Sequence, residues 1–219
     1  MRVSYIYSQT RNLFIVNPIP DVFGSAGLLG PFPTGQANYH EFEATLHFQL
    51  VHHADLNVSY IWSRARGDLN TVSNIFLPLE QPIIRPNVSG ILPSDIPNRV
   101  VTWGVFHLPW SLTVSPVVDV HTGFPYSNVD VLQNYAGVPD GSRFPTLFSF
   151  DAQVYRDFHL HLPLLERGSK HKVRVGLYSI NLTNHGNFHD VYNNVSSPFF
   201  GQFTGFQRRV DGFILSFAD

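Results

Sequence analysis

Residues 41–51 read Glu-Phe-Glu-Ala-Thr-Leu-His-Phe-Gln-Leu-Val, and the parity of that stretch decides the fold. Phe42, Ala44, Leu46, Phe48 and Leu50 fall on one side of an extended chain, and Glu41, Glu43, Thr45, His47 and Gln49 on the other. Successive side chains of a strand point to opposite faces, so this is a ribbon with one apolar and one polar face. The alternation returns after His53, where Leu56, Val58, Tyr60 and Trp62 oppose Asn57, Ser59 and Ser63. It returns again with Leu112, Val114, Val118 and Val120 against Thr113, Ser115, Asp119 and His121, and with Phe148, Phe150, Ala152 and Val154 against Ser149, Asp151 and Gln153. Val173, Val175 and Leu177 oppose Lys172 and Arg174, and Phe213, Leu215 and Phe217 flank Ser216. Two less regular segments, residues 2–9 and 99–108, complete a set of about eight strands. No stretch pairs an N-cap with an apolar stripe of helical period, so the expected class is all-β.

The connections fall into two alternating length classes. Short ones lie near His52–Asp55, Leu108–Ser111 and Leu162–Lys170; long ones, rich in Pro, Gly and Asn, run over about 11–38, 67–97, 124–146 and 184–200. Structureless loops beyond about 12–15 residues are uncommon in compact soluble domains. Strands crossing a bilayer put successive turns on opposite sides, and outer-membrane barrels have short periplasmic turns and long extracellular loops. The runs are also long: a tilted strand needs about 9–11 residues to cross a bilayer, against a mode of about 5–6 in globular proteins. A sheet spans lipid only when its backbone groups are all paired, which makes closure of the wall compulsory. The expected architecture is therefore an antiparallel transmembrane β-barrel portion of about eight long strands, with short periplasmic turns alternating with long extracellular loops. A small autonomous outer-membrane barrel, adhesive or structural, and a soluble β-sandwich binding module are the alternatives.

Composition bounds the function. Charged residues make up only 14% of the 219, against a soluble norm of about 25%. Apolar residues reach 43% and aromatics 14%, which excludes a disordered chain. A net charge of -2 gives no footprint for a nucleic-acid partner. The absence of Cys removes disulfides, thiolate nucleophiles and Cys-ligated metals. No apolar run is long enough for a transmembrane helix, and the N-terminal stretch MRVSYIYSQTRNLF is not of signal-peptide type.

No catalytic, cofactor-binding or metal site is expected, and no substrate-binding residue can be named. His52 and His53 are adjacent, and His159 and His161 lie two apart, but neither pair has metal-site spacing. Asp119 and His121 share a face without any nucleophile motif, so they read as a lumen pair and the chain as no enzyme. Tyr60, Trp62, Trp103, Trp110, Phe158 and Phe217 fit either interfacial girdles or core packing. Arg64/Arg66 and Arg208/Arg209 read as strand-end or lumen charges, with contact to lipopolysaccharide phosphate as the alternative. Asn57, Asn87, Asn181 and Asn194 head glycosylation-type triplets, at about the chance frequency for an Asn-rich chain. Residues 68–98 are unusually apolar for an exposed loop, with Ile75, Phe76, Leu77, Ile83, Ile84, Ile91 and Leu92, and are expected to fold inward or pack on neighbouring loops.

Three stretches carry a family resemblance. Residues 97–127, PNRVVTWGVFHLPWSLTVSPVVDVHTGFPYS, resemble the late-barrel hairpin of TonB-dependent outer-membrane receptors: an Arg-led strand, a short turn containing Leu-Pro, and a strand ending in the corner Gly123-Phe124-Pro125-Tyr126. Residues 179–188, SINLTNHGNF, resemble the family's Asn-Leu-x-Asn strand end, and FQRRVDGFILSF resembles its closing strand. The closest subgroup is the Oar-like receptors that carry a carboxypeptidase-regulatory-like domain. The resemblance covers residues 1–219 as the C-terminal part of such a barrel, with no plug domain, and the family's barrel has ~22 strands around a plug. It implies location in the cell outer membrane of a Gram-negative-type bacterium and a parent that takes up a large scarce ligand of the siderophore or glycan class. Partners would be outer-membrane lipid, the remainder of the barrel and plug, and TonB only through the missing N-terminal part. The chain thus reads as a fragment not competent alone. The family's last residue is typically aromatic, an assembly signal, whereas Ala218 and Asp219 follow Phe217 here. Pro116 sits mid-strand, where only an edge, a bulge or a non-donating position accepts it. The polar face offers few paired charges to fill a narrow eight-stranded barrel, so an open arc of a wide one fits better.

Overall fold

The computed structural model of the protein describes residues 1–19, 28–50, 54–71, 85–160 and 171–218. In chain order its strands are β1 (Arg2–Ile19), β2 (Leu28–Leu50), β3 (Ala54–Asp68), β4 (Ser89–Ile91), β5 (Asn98–Leu108), β6 (Leu112–His121), β7 (Pro125–Tyr126), β8 (Ser142–Arg143), β9 (Leu147–Leu160), β10 (His171–Ile180), β11 (Asn187–Val191), β12 (Phe203–Gln207) and β13 (Val210–Ala218). Eight of them form one antiparallel meander in the order β1-β2-β3-β5-β6-β9-β10-β13, with β4 added beside the end of β3. Each of the eight has at least nine residues, and β2 has 23. The all-β class, the long strands and their antiparallel succession agree with the alternation of the sequence. Among the described residues, β1 and β13 end the strand order: β1 ladders with β2 and touches the β3–β5 connection through the Ile15–Thr71 bridge, and β13 ladders with β10, so no strand covers either edge.

Registers carry the alternation across the whole sheet. Val3, Ala44, Tyr60, Val100, Val120 and Phe148 form one cross-strand row, and Ala54, Phe106, Val114, Val154, Leu177 and Phe213 form another on the same face. That face is apolar and open: Phe42, Leu46, Val100, Val154, Leu177 and Phe213 are all exposed. No second sheet of the described residues lies against it. The opposite face carries Glu43, Ser59, Ser63, Thr113, Asp119, Asp157 and Arg174, and Ser59, Ser63 and Thr113 on it are buried. Among the described residues, twelve buried polar side chains stand against seven buried hydrophobic ones, so the sheet encloses no apolar core.

The upper limit of the apolar belt does not follow the rows. On β3 the last apolar residue is Trp62, followed on the same face by Arg64 and Arg66; on β13 it is Phe213, followed by Asp211. Phe213 lies at the level of Ala54, so the limit descends eight residues along β3 over the five pairings from β3 to β13.

Three expectations are corrected. The connection expected over 11–38 is mostly strand, because β1 continues to Ile19 and β2 begins at Leu28. Asn12, with φ of 59°, takes up the register shift beside Arg11 that permits the extension. The other long connections are not structureless: they carry β4, the β7–β8 hairpin and the β11–β12 hairpin. Trp103 lies in the row of Asn57 and Val117, on the polar face, and so stands outside any outward girdle. Pro116 behaves as its missing N–H requires: the β5–β6 register passes from Trp103–Val117 to Phe106–Val114, skipping it, while Pro116 stays opposite Ala152 of β9.

Candidate functional site

The long connections gather at one end of the sheet and are tied together there. Arg143 donates to the carbonyl oxygens of Asp95, at 2.9 Å, and Gly123, at 3.1 Å, and pairs with the Asp95 carboxylate, which also accepts from the Ala65 amide at 2.6 Å. One guanidinium thus joins the β3–β5 connection to the β6–β9 connection. Val129 is buried, its amide donates to Asn193 O at 3.0 Å, and Val195 N donates back to Val129 O at 2.8 Å, which joins the β6–β9 connection to the β10–β13 connection. Tyr126, Phe144, Phe188 and Phe203 pack edge-on or tilted between the hairpins. Gly123 of the Gly-Phe-Pro-Tyr corner has a specific reason to be glycine, since a Cβ there would fall 1.9 Å from Phe144 O.

The Asn-Leu-x-Asn strand end has an equally definite task. Asn181 is fully buried with φ of 53°; its amide donates to Asp151 at 2.8 Å, and its Oδ1 accepts from His185 N. Its Nδ2 donates to His185 O and Gln207 O. A buried amide satisfied on every side fixes one loop conformation, and its burial leaves no room for a glycan. Asn187 extends the work by bonding Phe148 N and O as a further strand would.

Above this platform stand exposed apolar tips: Val131 and Leu132, Val138, and Phe199 with Phe200. The first tip is organised by Asp130, whose carboxylate accepts from Leu132 N and Asn134 N at 2.8 Å each; the Asn134 amide bond leads in holding that carboxyl below its ordinary range. At the base of the second, burial pushes the Asp140 carboxyl up, while Ser127 and Arg143 pull it down. These tips are the candidate contact points for a large ligand.

The polar face is a chain of short polar links. Glu43 accepts from Ser4, Thr45 and Ser59 at 3.1–3.2 Å. Arg99 grips Asp119 through Nε at 3.0 Å and Nη2 at 2.6 Å, and Asp157 takes both Arg174 and Lys172 at 2.8 Å. Paired charges are therefore more prominent on this face than expected. Asp119 is committed to Arg99, and His121 Nδ1 lies 2.8 Å from Thr122 O, so the two share a face without forming an acid–base pair. Among the described residues no three His, Asp or Glu side chains converge to hold a metal.

Other singled-out residues are placed as follows. Tyr60, Trp62, Phe158 and Phe217 lie on the apolar face and Trp110 projects from its turn, 80% exposed. Arg64 and Arg66 share parity with Trp62, so they stand at the end of β3 on the side of the apolar face and not on the polar face; the parity was legible in the sequence. Arg208 sits over Phe206, and Arg209 pairs with Asp211 at 3.1 Å. Leu69 and Leu92 of the apolar connection pack against Ala65, as an inward-folding loop requires. Ile75, Phe76, Leu77, Ile83, Ile84, His52, His53 and His161 lie outside the described residues, as does the side chain of His159. No protein-family model matches this chain, and comparison with the curated proteins finds no match.

Proposed function

We propose that this chain is part of the wall of an outer-membrane β-barrel of the TonB-dependent receptor type. Its polar face lines a water-filled interior, and its knitted loops take part in capturing a large, scarce ligand of the siderophore or glycan class. One observation carries the reading: the apolar face of the sheet is left exposed, from Tyr5 and Phe42 at one side to Leu177 and Phe213 at the other. Water would penalise such a face, whereas acyl chains accept it. The oblique limit of the belt supports the same reading. With ~3.3 Å per residue and ~4.8 Å between strands, a descent of eight residues over five pairings corresponds to strands tilted about 45° from the normal of the plane bounding the belt. Outer-membrane barrels tilt by ~35–45°. Uptake itself would need the remainder of the barrel, a plug and TonB, so this chain alone should not transport.

Refolding the chain in the presence of phospholipid vesicles tests the membrane reading. Expected is protein that floats with the vesicles and resists extraction at alkaline pH. A chain that stays soluble and structured without detergent or lipid would favour a water-facing binding module instead.

A further inference from the structure

On β1–β3 the outer face changes chemistry at the top of the belt without changing parity. Tyr5, Phe42 and Trp62 form an aromatic row, Arg64 stands level with His40 and Tyr7 in the next, and Arg66 with Asn38 and Gln9 above that. His40 is held between two tyrosines, its Nδ1 2.8 Å from Tyr5 Oη and its ring 4.8 Å from that of Tyr7. Tyr7, Asn38, His40, Trp62, Arg64 and Arg66 line a shallow cleft of about 580 Å³. Neither arginine meets a carboxylate among the described residues. The acids nearest on β2, Glu41 and Glu43, have the opposite parity, and Asp95 beside the cleft is committed to Arg143. Asn38 Oδ1 is buried there with no hydrogen-bond partner among the described residues, an acceptor that a headgroup hydroxyl or a water bridging to it would satisfy.

Two guanidiniums without a carboxylate partner among the described residues, directly above an aromatic row, are what an anionic headgroup meets when its acyl chains lie along the belt. We infer that this cleft binds the phosphate-bearing headgroup of a membrane lipid, with Arg64 and Arg66 on the phosphate and Tyr7 and Trp62 against the chain–headgroup junction. The inference rests on the membrane reading, because a lipid reaches the cleft only if the belt is immersed.

The test uses the full chain in neutral micelles, with Trp103→Phe and Trp110→Phe leaving Trp62 as the reporter. Dilauroyl phosphatidic acid is expected to change Trp62 emission saturably, while dilauroylglycerol, with the same chains and no phosphate, and inorganic phosphate at millimolar concentration are not. Arg64→Ala with Arg66→Ala should weaken the response at least roughly tenfold. The double lysine variant should keep most of it, and Arg208→Ala with Arg209→Ala should leave it unchanged. An unaltered response in the double alanine variant, or an equal response to inorganic phosphate alone, overturns the inference. A chain that enters micelles but ignores the headgroup sinks this site and spares the membrane reading; a chain that never enters them sinks both.

Discussion

Refolded alone into detergent, the 219-residue chain is expected to run as a spread of oligomers and not as a sharp monomer band that shifts on boiling. The reason is the pair of free edges. No strand of the described residues pairs along the outer side of β1 or β13, where only Ile15 and Val16 near the end of β1 meet Thr71 and Asn70, and an unpaired backbone group in hydrocarbon costs several kcal/mol. The side chains compound the problem, with Tyr5 62% exposed on one edge and Phe213 86% on the other. In water the same edges are templates for pairing with further chains. Electrophoresis with and without heating reads the result directly. A compact, heat-modifiable monomer would mean that β1 and β13 join, making the chain a small barrel in its own right.

The second large effect concerns Leu46, on the apolar face of β2 and 40% exposed. An arginine near the midplane of a lipid-facing strand costs about 2–4 kcal/mol, while a surface substitution in water usually stays within about 0.5 kcal/mol. Leu46→Arg is therefore expected to lower the urea midpoint of vesicle-inserted protein by an amount of that order. Gln153→Arg, on the polar face of β9, should change it little, because its new charge would face water. Equal effects of the two substitutions would contradict the assignment of faces.

Much of this fold was legible because alternation is a local property. Residues 41–50 alternate throughout and 54–63 do so with Ile61 as the exception, and their registers follow the alternation residue by residue. Where parity is lost, so is the reading: in residues 99–108, Val101, Trp103 and Val105 compete with Val100 and Phe106, and the face of Trp103 could not be assigned. The segment 28–38 hides a strand for a different reason. Pro31, Pro33 and Gly35 are turn residues by composition, yet all three lie within β2, where Pro31 and Gly35 stand opposite Val16 and Leu13 of β1. Arg64 and Arg66 share the parity of Trp62, so their face is legible from residues 54–66 alone. The candidate site was least legible, since the ties made by Arg143, Val129 and Asn181 join residues far apart in the chain. The Asn-Leu-x-Asn and Gly-x-Pro-Tyr stretches marked where to look, but not that Asn181 would be buried or that Gly123 would touch Phe144.

If the apolar face of the sheet meets acyl chains, every second residue of β3 lies in lipid. The chain contains no cysteine, so single cysteines placed in turn from 56 to 63 and labelled with a fluorophore report on β3 without background. In vesicles whose lipids carry a quencher on the acyl chain, quenching should alternate. It should be strong at 56, 58, 60 and 62 and weak at 57, 59, 61 and 63; uniform quenching, or the reversed pattern, would contradict the account.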